Sequence, residues 1–190
     1  INEYDMDSDF VLDEMDMDIN NDGTDNILDV DIKELVSQIK NIILSSTWSA
    51  YDDNRLISAY KRQSGGFTSY RLISQAYFNL HSPIAPVLWN QATIDGDINN
   101  YTDELDGLTT LYNYFEKKQM LAQLTTEETV FANGTIFFIL DAQKHVSNVG
   151  IVIGNDSVGI VLPYDKRVQT HTFSDVTNYY GNDIIIEFTK

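Results

Sequence analysis

Beyond Thr129 the chain changes texture. TIFFIL, NVGIVIG, VGIVLPY, VQTHTF and DIIIEF are five short, β-branched runs separated by Gly, Asn and Asp turns. Before that point apolar residues recur at helical spacing instead. Ile32, Leu35, Val36, Ile39, Ile42 and Ile43 predict a helix over about 31–46. Leu72, Ile73, Ala76, Tyr77 and Leu80 predict one after the glycine turn SGGF, broken by the two prolines of HSPIAP. Leu105, Leu108, Leu111, Tyr112, Phe115 and Leu121 predict a third over about 103–123. Helices first and antiparallel strands second is an α+β order rather than a βαβ repeat. The expectation is a helical first half packed on an antiparallel sheet of roughly five strands. Ser69 should start a buried helix, with Leu72, Ile73, Ala76 and Tyr77 against Phe137, Ile139, Val149, Ile151 and Ile153.

Charge divides the chain a second way. Of 29 acidic residues, 12 lie between Glu3 and Asp31, ahead of Lys33, the first basic residue. Residues 1–46 are therefore expected to form an acidic arm with a helix, and residues 47–190 the main domain. A net charge of −17 excludes nonspecific nucleic-acid binding. No apolar run approaches the roughly 18 residues of a membrane-spanning helix. The first residues, INEYDMDSDF, lack the basic and apolar regions of a signal peptide, and a start at Ile1 rather than Met points to a processed product or fragment. With no Cys there is neither a disulfide framework nor a thiol nucleophile. No phosphate-binding loop is present, and His81, His145 and His171 lack metal-ligand spacing.

The acids of the arm are patterned. In DINNDGTDNILD, Asp18, Asn20, Asp22, Thr24, Asn26 and Asp29 fall at positions one, three, five, seven, nine and twelve, with Gly23 at six. A hard cation takes six to eight oxygens, alternate residues of a turning loop supply them, and glycine permits the sharp turn. The stretch resembles an EF-hand loop, and Asp at position twelve is closer to the loops of dockerin modules; the implied cofactor is Ca²⁺. Asp25 stands at position eight, where such loops carry an apolar residue. A second stretch, DGDINNYTDELD, places Asp95, Asp97, Asn99, Asp103 and Asp106 similarly but has Asn100 where glycine belongs.

Over residues 47–190 the order of elements resembles the NlpC and p60 family of papain-like cysteine peptidases, which cut bacterial cell-wall peptides. GGFTSYRLISQAYFNLHSPIAP resembles the family's nucleophile turn and helix, TTEETVFANGTIFFILDAQKHVSNVGIVIGND its central strands, and VQTHTFSD its closing strand. The resemblance implies a papain-like fold with a thiol at a helix N-terminus, an imidazole base on a neighbouring strand and a third polar group that orients the imidazole. Carried over residue by residue, the thiol position is Ser69, the base position Asn148 and the orienting position Ile160 or Val161; Thr68 stands where the family commonly has Asp. Asn accepts no proton near neutral pH, and an apolar side chain orients nothing. Were Ser69 a replaced cysteine, His145 would be the remaining candidate base, three residues before the matching position.

Three functions follow as expectations. The first is a catalytically degenerate NlpC/p60-like module, extracellular or virion-associated, that binds cell-wall peptide or packs against protein partners in a phage particle or secreted bacterial assembly, with calcium in its N-terminal loop. The second is an active peptidoglycan peptidase or amidase whose nucleophile is replaced by Ser69. The third is a calcium-dependent interaction module whose acidic arm docks on a basic partner.

Overall fold

The computed structural model describes residues 30–45, 49–50, 66–80, 103–125 and 131–190. The six residues matched to the EF-hand pattern, Asp18 to Asp29, lie outside the described residues, as does most of the second acidic stretch.

Helix α1 (Ile32–Leu44) starts where the sequence supplies a cap. The Asp31 carboxylate accepts hydrogen bonds from the Lys33 and Glu34 amides, which have no partner inside the helix. Its face Leu35, Val36, Ile39, Ile42 and Ile43 is buried. This helix, grouped with the acidic arm by charge, packs into the same core as the rest. A short parallel pair, β1 (Ser49–Ala50) with β2 (Gly66–Phe67), leads into α2 (Ser69–Asn79). Thr68 caps α2 through its hydroxyl, which accepts from the Arg71 amide at 3.1 Å.

Helix α3 (Asp103–Lys117) ends six residues earlier than its apolar pattern predicts. Gln119 takes a left-handed conformation (φ 56°), its amide donates to Glu116 O and the Met120 amide donates to Phe115 O. That pair of bonds is a Schellman ending built without glycine. The next residues, Leu121–Gln123, form β3 instead of a last helical turn.

The remaining strands are β4 (Ile136–Leu140), β5 (Val146–Val152), β6 (Ser157–Gly159), β7 (Thr170–Thr172) and β8 (Ile185–Thr189); α4 (Phe173–Tyr180) follows β7. The sheet has six strands in the order β3-β8-β4-β5-β6-β7, all pairs antiparallel, so the expected count of five was one short. The extra strand is β3, recruited by pairing with β8.

All five residues of β4 are buried because the sheet is covered on both faces. Ile136, Phe138 and Leu140 join Val149, Ile151 and the helices α1, α2 and α3 in one cluster. Phe137 and Ile139 join Val152, Val158, Ile160 and Val176 of α4 in the other. The expectation that Phe137 and Ile139 face α2 is thus wrong by one step of the strand, which exchanges the faces. Two glycines permit this packing. A Cβ on Gly150 would sit 2.3 Å from the Phe137 ring, and one on Gly159 would sit 2.9 Å from Ile39 of α1.

Candidate functional site

Strand β6 stops at Gly159 although Ile160, Val161 and Leu162 continue the apolar run and are buried. Side chains take over main-chain hydrogen bonds of Val161 and Leu162. The Ser69 hydroxyl, at the first residue of α2, accepts from the Val161 amide at 2.8 Å and donates to the Val161 carbonyl at 3.2 Å. The same carbonyl accepts from Asn148 Nδ2 of β5 at 3.0 Å. Leu162 donates to the Asp165 carboxylate at 2.8 Å. Buried main-chain groups must be paired, and here the pairing brings Ser69 and Asn148 together on the main chain of Val161.

Asn148 completes the node. Its Nδ2 also donates to the Tyr180 hydroxyl at 2.9 Å, and its Oδ1 accepts from the Val149 amide at 2.8 Å. Burial pushes the Tyr180 hydroxyl above the ordinary tyrosine pKa; the Asn148 hydrogen bond acts the other way and neighbouring Tyr179 adds to the rise. Ser69 is 1% exposed and Asn148 0%. The Ser69 proton points at an amide carbonyl, too weak a base to take it, and among the described residues neither imidazole nor carboxylate is bonded to the hydroxyl. Among the described residues the node is a set of mutually satisfied polar groups.

His145 is not among the groups bonded to Ser69. It sits in the turn between β4 and β5 with its side chain 79% exposed, its Nδ1 3.2 Å from Asp141 Oδ2. The Asp141 carboxylate also accepts the amides of Gln143 and His145 and so closes the turn; the His145 amide bond above all lowers its pKa.

A second polar cluster surrounds His171, a residue that metal-ligand spacing does not single out. The Asp165 carboxylate is buried and collects three donors: the Leu162 amide, Gln169 Nε2 at 2.6 Å and His171 Nε2 at 2.8 Å. His171 Nδ1 faces Asp175 Oδ2 at 3.7 Å. Asp175 in turn forms a capping box with Thr172 at the start of α4, and that Thr172 amide bond lowers its pKa. The signal was present in THT: the alternation turns His171 inward between two threonines. An open cavity of about 290 Å³ lies between the β5–β6 turn and the first turn of α4, with Phe131, Val158 and Phe173 in its wall; none of the node residues lines it.

No protein-family model matches the chain, and no curated protein matches it. Among the described residues no group of three or more His, Cys, Asp or Glu could hold a metal ion, and no helix is long and apolar enough to cross a membrane.

Proposed function

We propose that the chain is a non-catalytic module of papain-like, NlpC/p60 type that works by binding: an extracellular or virion-associated part that recognises cell-wall peptide or protein partners in an assembly. One observation carries this reading. The residue matched to the family's nucleophile, Ser69, starts a buried helix and is closed onto the main-chain N–H and C=O of Val161, with the amide of Asn148 rather than an imidazole beside it. Purified protein mixed with insoluble bacterial cell wall should co-sediment with it and release no peptide fragments. Release of fragments by the unaltered chain would overturn the reading.

The N-terminal loop belongs to the same proposal. Asp18, Asn20, Asp22, Asn26 and Asp29 would offer side-chain oxygens and Thr24 its carbonyl, a donor set suited to Ca²⁺. Bound there, the cation would neutralise part of the arm's charge ahead of α1. Helix α1, capped by Asp31, begins three residues past the last matched position. A cation that binds only the folded chain raises the melting temperature. Millimolar Ca²⁺ should raise it for the natural sequence and leave Asp22→Ala unchanged; a calorimetric titration without heat at millimolar Ca²⁺ would reject the site.

A further inference from the structure

Asn133 and Gly134 are the chain's only Asn-Gly pair, and they stand in the turn that leads into β4. Asn133 is exposed. The Thr135 amide donates to the Ala132 carbonyl at 3.1 Å, and Gly134 has a φ of 85°. Together these features define a type II turn with Asn133 and Gly134 at its corners. Glycine is required there twice over, because the φ is left-handed and a Cβ would lie 2.9 Å from Ile32 Cδ1 of α1. The fold therefore keeps glycine after Asn133, and glycine leaves the Asn133 side-chain amide sterically open to the next main-chain nitrogen.

Such a pair can react with itself. The Gly134 nitrogen bonds to Asn133 Cγ, the side-chain nitrogen leaves as ammonia carrying the Gly134 amide proton, and a five-membered succinimide closes. Water then opens the ring at either carbonyl. One opening gives Asp; the other gives isoaspartate, whose main chain runs through the side-chain carbons and is one carbon longer. Nothing is oxidised or reduced.

In the folded chain the nucleophile is tied elsewhere. The Gly134 amide donates to the Val152 carbonyl at 2.8 Å and the Val152 amide donates to the Thr135 carbonyl at 2.9 Å, which binds the turn to the end of β5. A type II turn also sets ψ of its first corner near about +120°, which turns the following nitrogen away from that corner's own side chain. We infer that Asn133 is a deamidation site held shut by the turn's bonds to Val152, and that its isoaspartate product loosens α1. The added main-chain carbon cannot enter between Asn133 and Gly134 with both the turn bond and the Val152 bond kept, and Ile32 packs directly on Gly134. The reaction needs no partner, so the site goes beyond the binding function proposed above.

The test incubates the full chain in mildly alkaline buffer at physiological temperature, with and without denaturing urea, and then digests it with trypsin. The peptide from Gln119 to Lys144 holds Asn133 as its only asparagine. A gain of about 1 Da in that peptide reports the conversion, and chromatography separates its Asp and isoaspartate forms. Conversion in urea should outpace native conversion by about tenfold or more, since in the native state the turn must open first. Native protein aged until half is converted should show faster hydrogen exchange over residues 32–44 and melt at least about 2 °C lower. Asn133→Gln closes no five-membered ring and, aged alike, should keep its mass, its exchange and its melting curve.

Equal rates with and without urea would overturn the gating by the turn. An unconverted peptide after long exposure in urea would overturn the site itself. Converted protein whose α1 exchanges no faster than before would overturn the link between the turn and the helix, as would an equal change in aged Asn133→Gln.

Discussion

Ser69 Oγ lies 2.8 Å from the amide nitrogen of Val161 and 3.2 Å from its carbonyl oxygen, so a single hydroxyl satisfies both main-chain groups of one residue 92 positions away. Ser69→Ala leaves the Val161 amide buried without its acceptor. A buried donor stripped of its partner costs about 1–3 kcal/mol. Urea denaturation of Ser69→Ala should show a loss in that range with the same slope. An unchanged midpoint would mean that the contact contributes nothing.

The Asp165 cluster is the larger store of polar stability. Asp165→Ala removes the acceptor of Leu162, Gln169 and His171 together. Each buried donor stripped of its acceptor costs about 1–3 kcal/mol, so the loss of three together should exceed that of Ser69→Ala. Asp165→Asn keeps the shape and one acceptor oxygen and should cost less. Equal losses in both variants would show that the shape of the loop, rather than its hydrogen bonds, sets the stability.

What the sequence revealed and concealed follows from where the deciding forces act. The cap and apolar face of α1 are local, and both were readable in Asp31 and the Leu35, Ile39 and Ile43 spacing. The end of α3 was hidden because Gln119, not glycine, adopts the left-handed turn, and β3 exists only through its pairing with β8. The facing of β4 was hidden for a related reason. A strand buried on both sides shows no alternation, so nothing in IFFIL tells Phe137 from Phe138. The three-residue spacing of His145 from Asn148 is irregular as well. The structure has a bulge at Ser147, which is skipped between the Ile139–Asn148 and Leu140–Val146 pairs. The meeting of Ser69, Asn148 and Val161 came from the family resemblance. The Asp165–His171 pair did not, because its contacts form across a loop whose path no periodicity marks.

Alkaline pH should unfold the protein through two tyrosines. Burial raises the pKa of Tyr112, reinforced by its 2.8 Å bond to Glu187, and burial raises that of Tyr180. A raised folded-state pKa contributes stability that is complete below the unfolded value of 10.0 and is lost as pH climbs through the folded one. The melting temperature should therefore fall from about pH 10 upward. Tyr112→Phe should flatten that decline, and tyrosinate absorbance should rise in a final step coincident with unfolding. A final step complete before any loss of structure would contradict the burial of these hydroxyls.

Building catalysis at the Ser69 node should take more than one substitution. Ser69→Cys places a thiol at the start of α2, where the helix dipole favours the thiolate. Yet the position is 1% exposed, so alkylation should be slow in the folded protein and fast in urea. Asn148→His adds an imidazole beside it, but the ring would replace an amide that bridges Val161 and Tyr180, and one of those bonds must go. Ile160 and Val161, matched to the orienting position, are apolar and buried, so nothing there fixes the ring's tautomer. A correctly placed general base is worth about 10²–10⁴ in rate. Hydrolysis of cell-wall peptides should consequently stay at background in Ser69→Cys and rise weakly at most in the double variant. Efficient cleavage by Ser69→Cys alone would overturn the non-catalytic reading. His145 would then be the first base to test, by His145→Ala in that background, and its turn would have to leave Asp141 to reach the thiol.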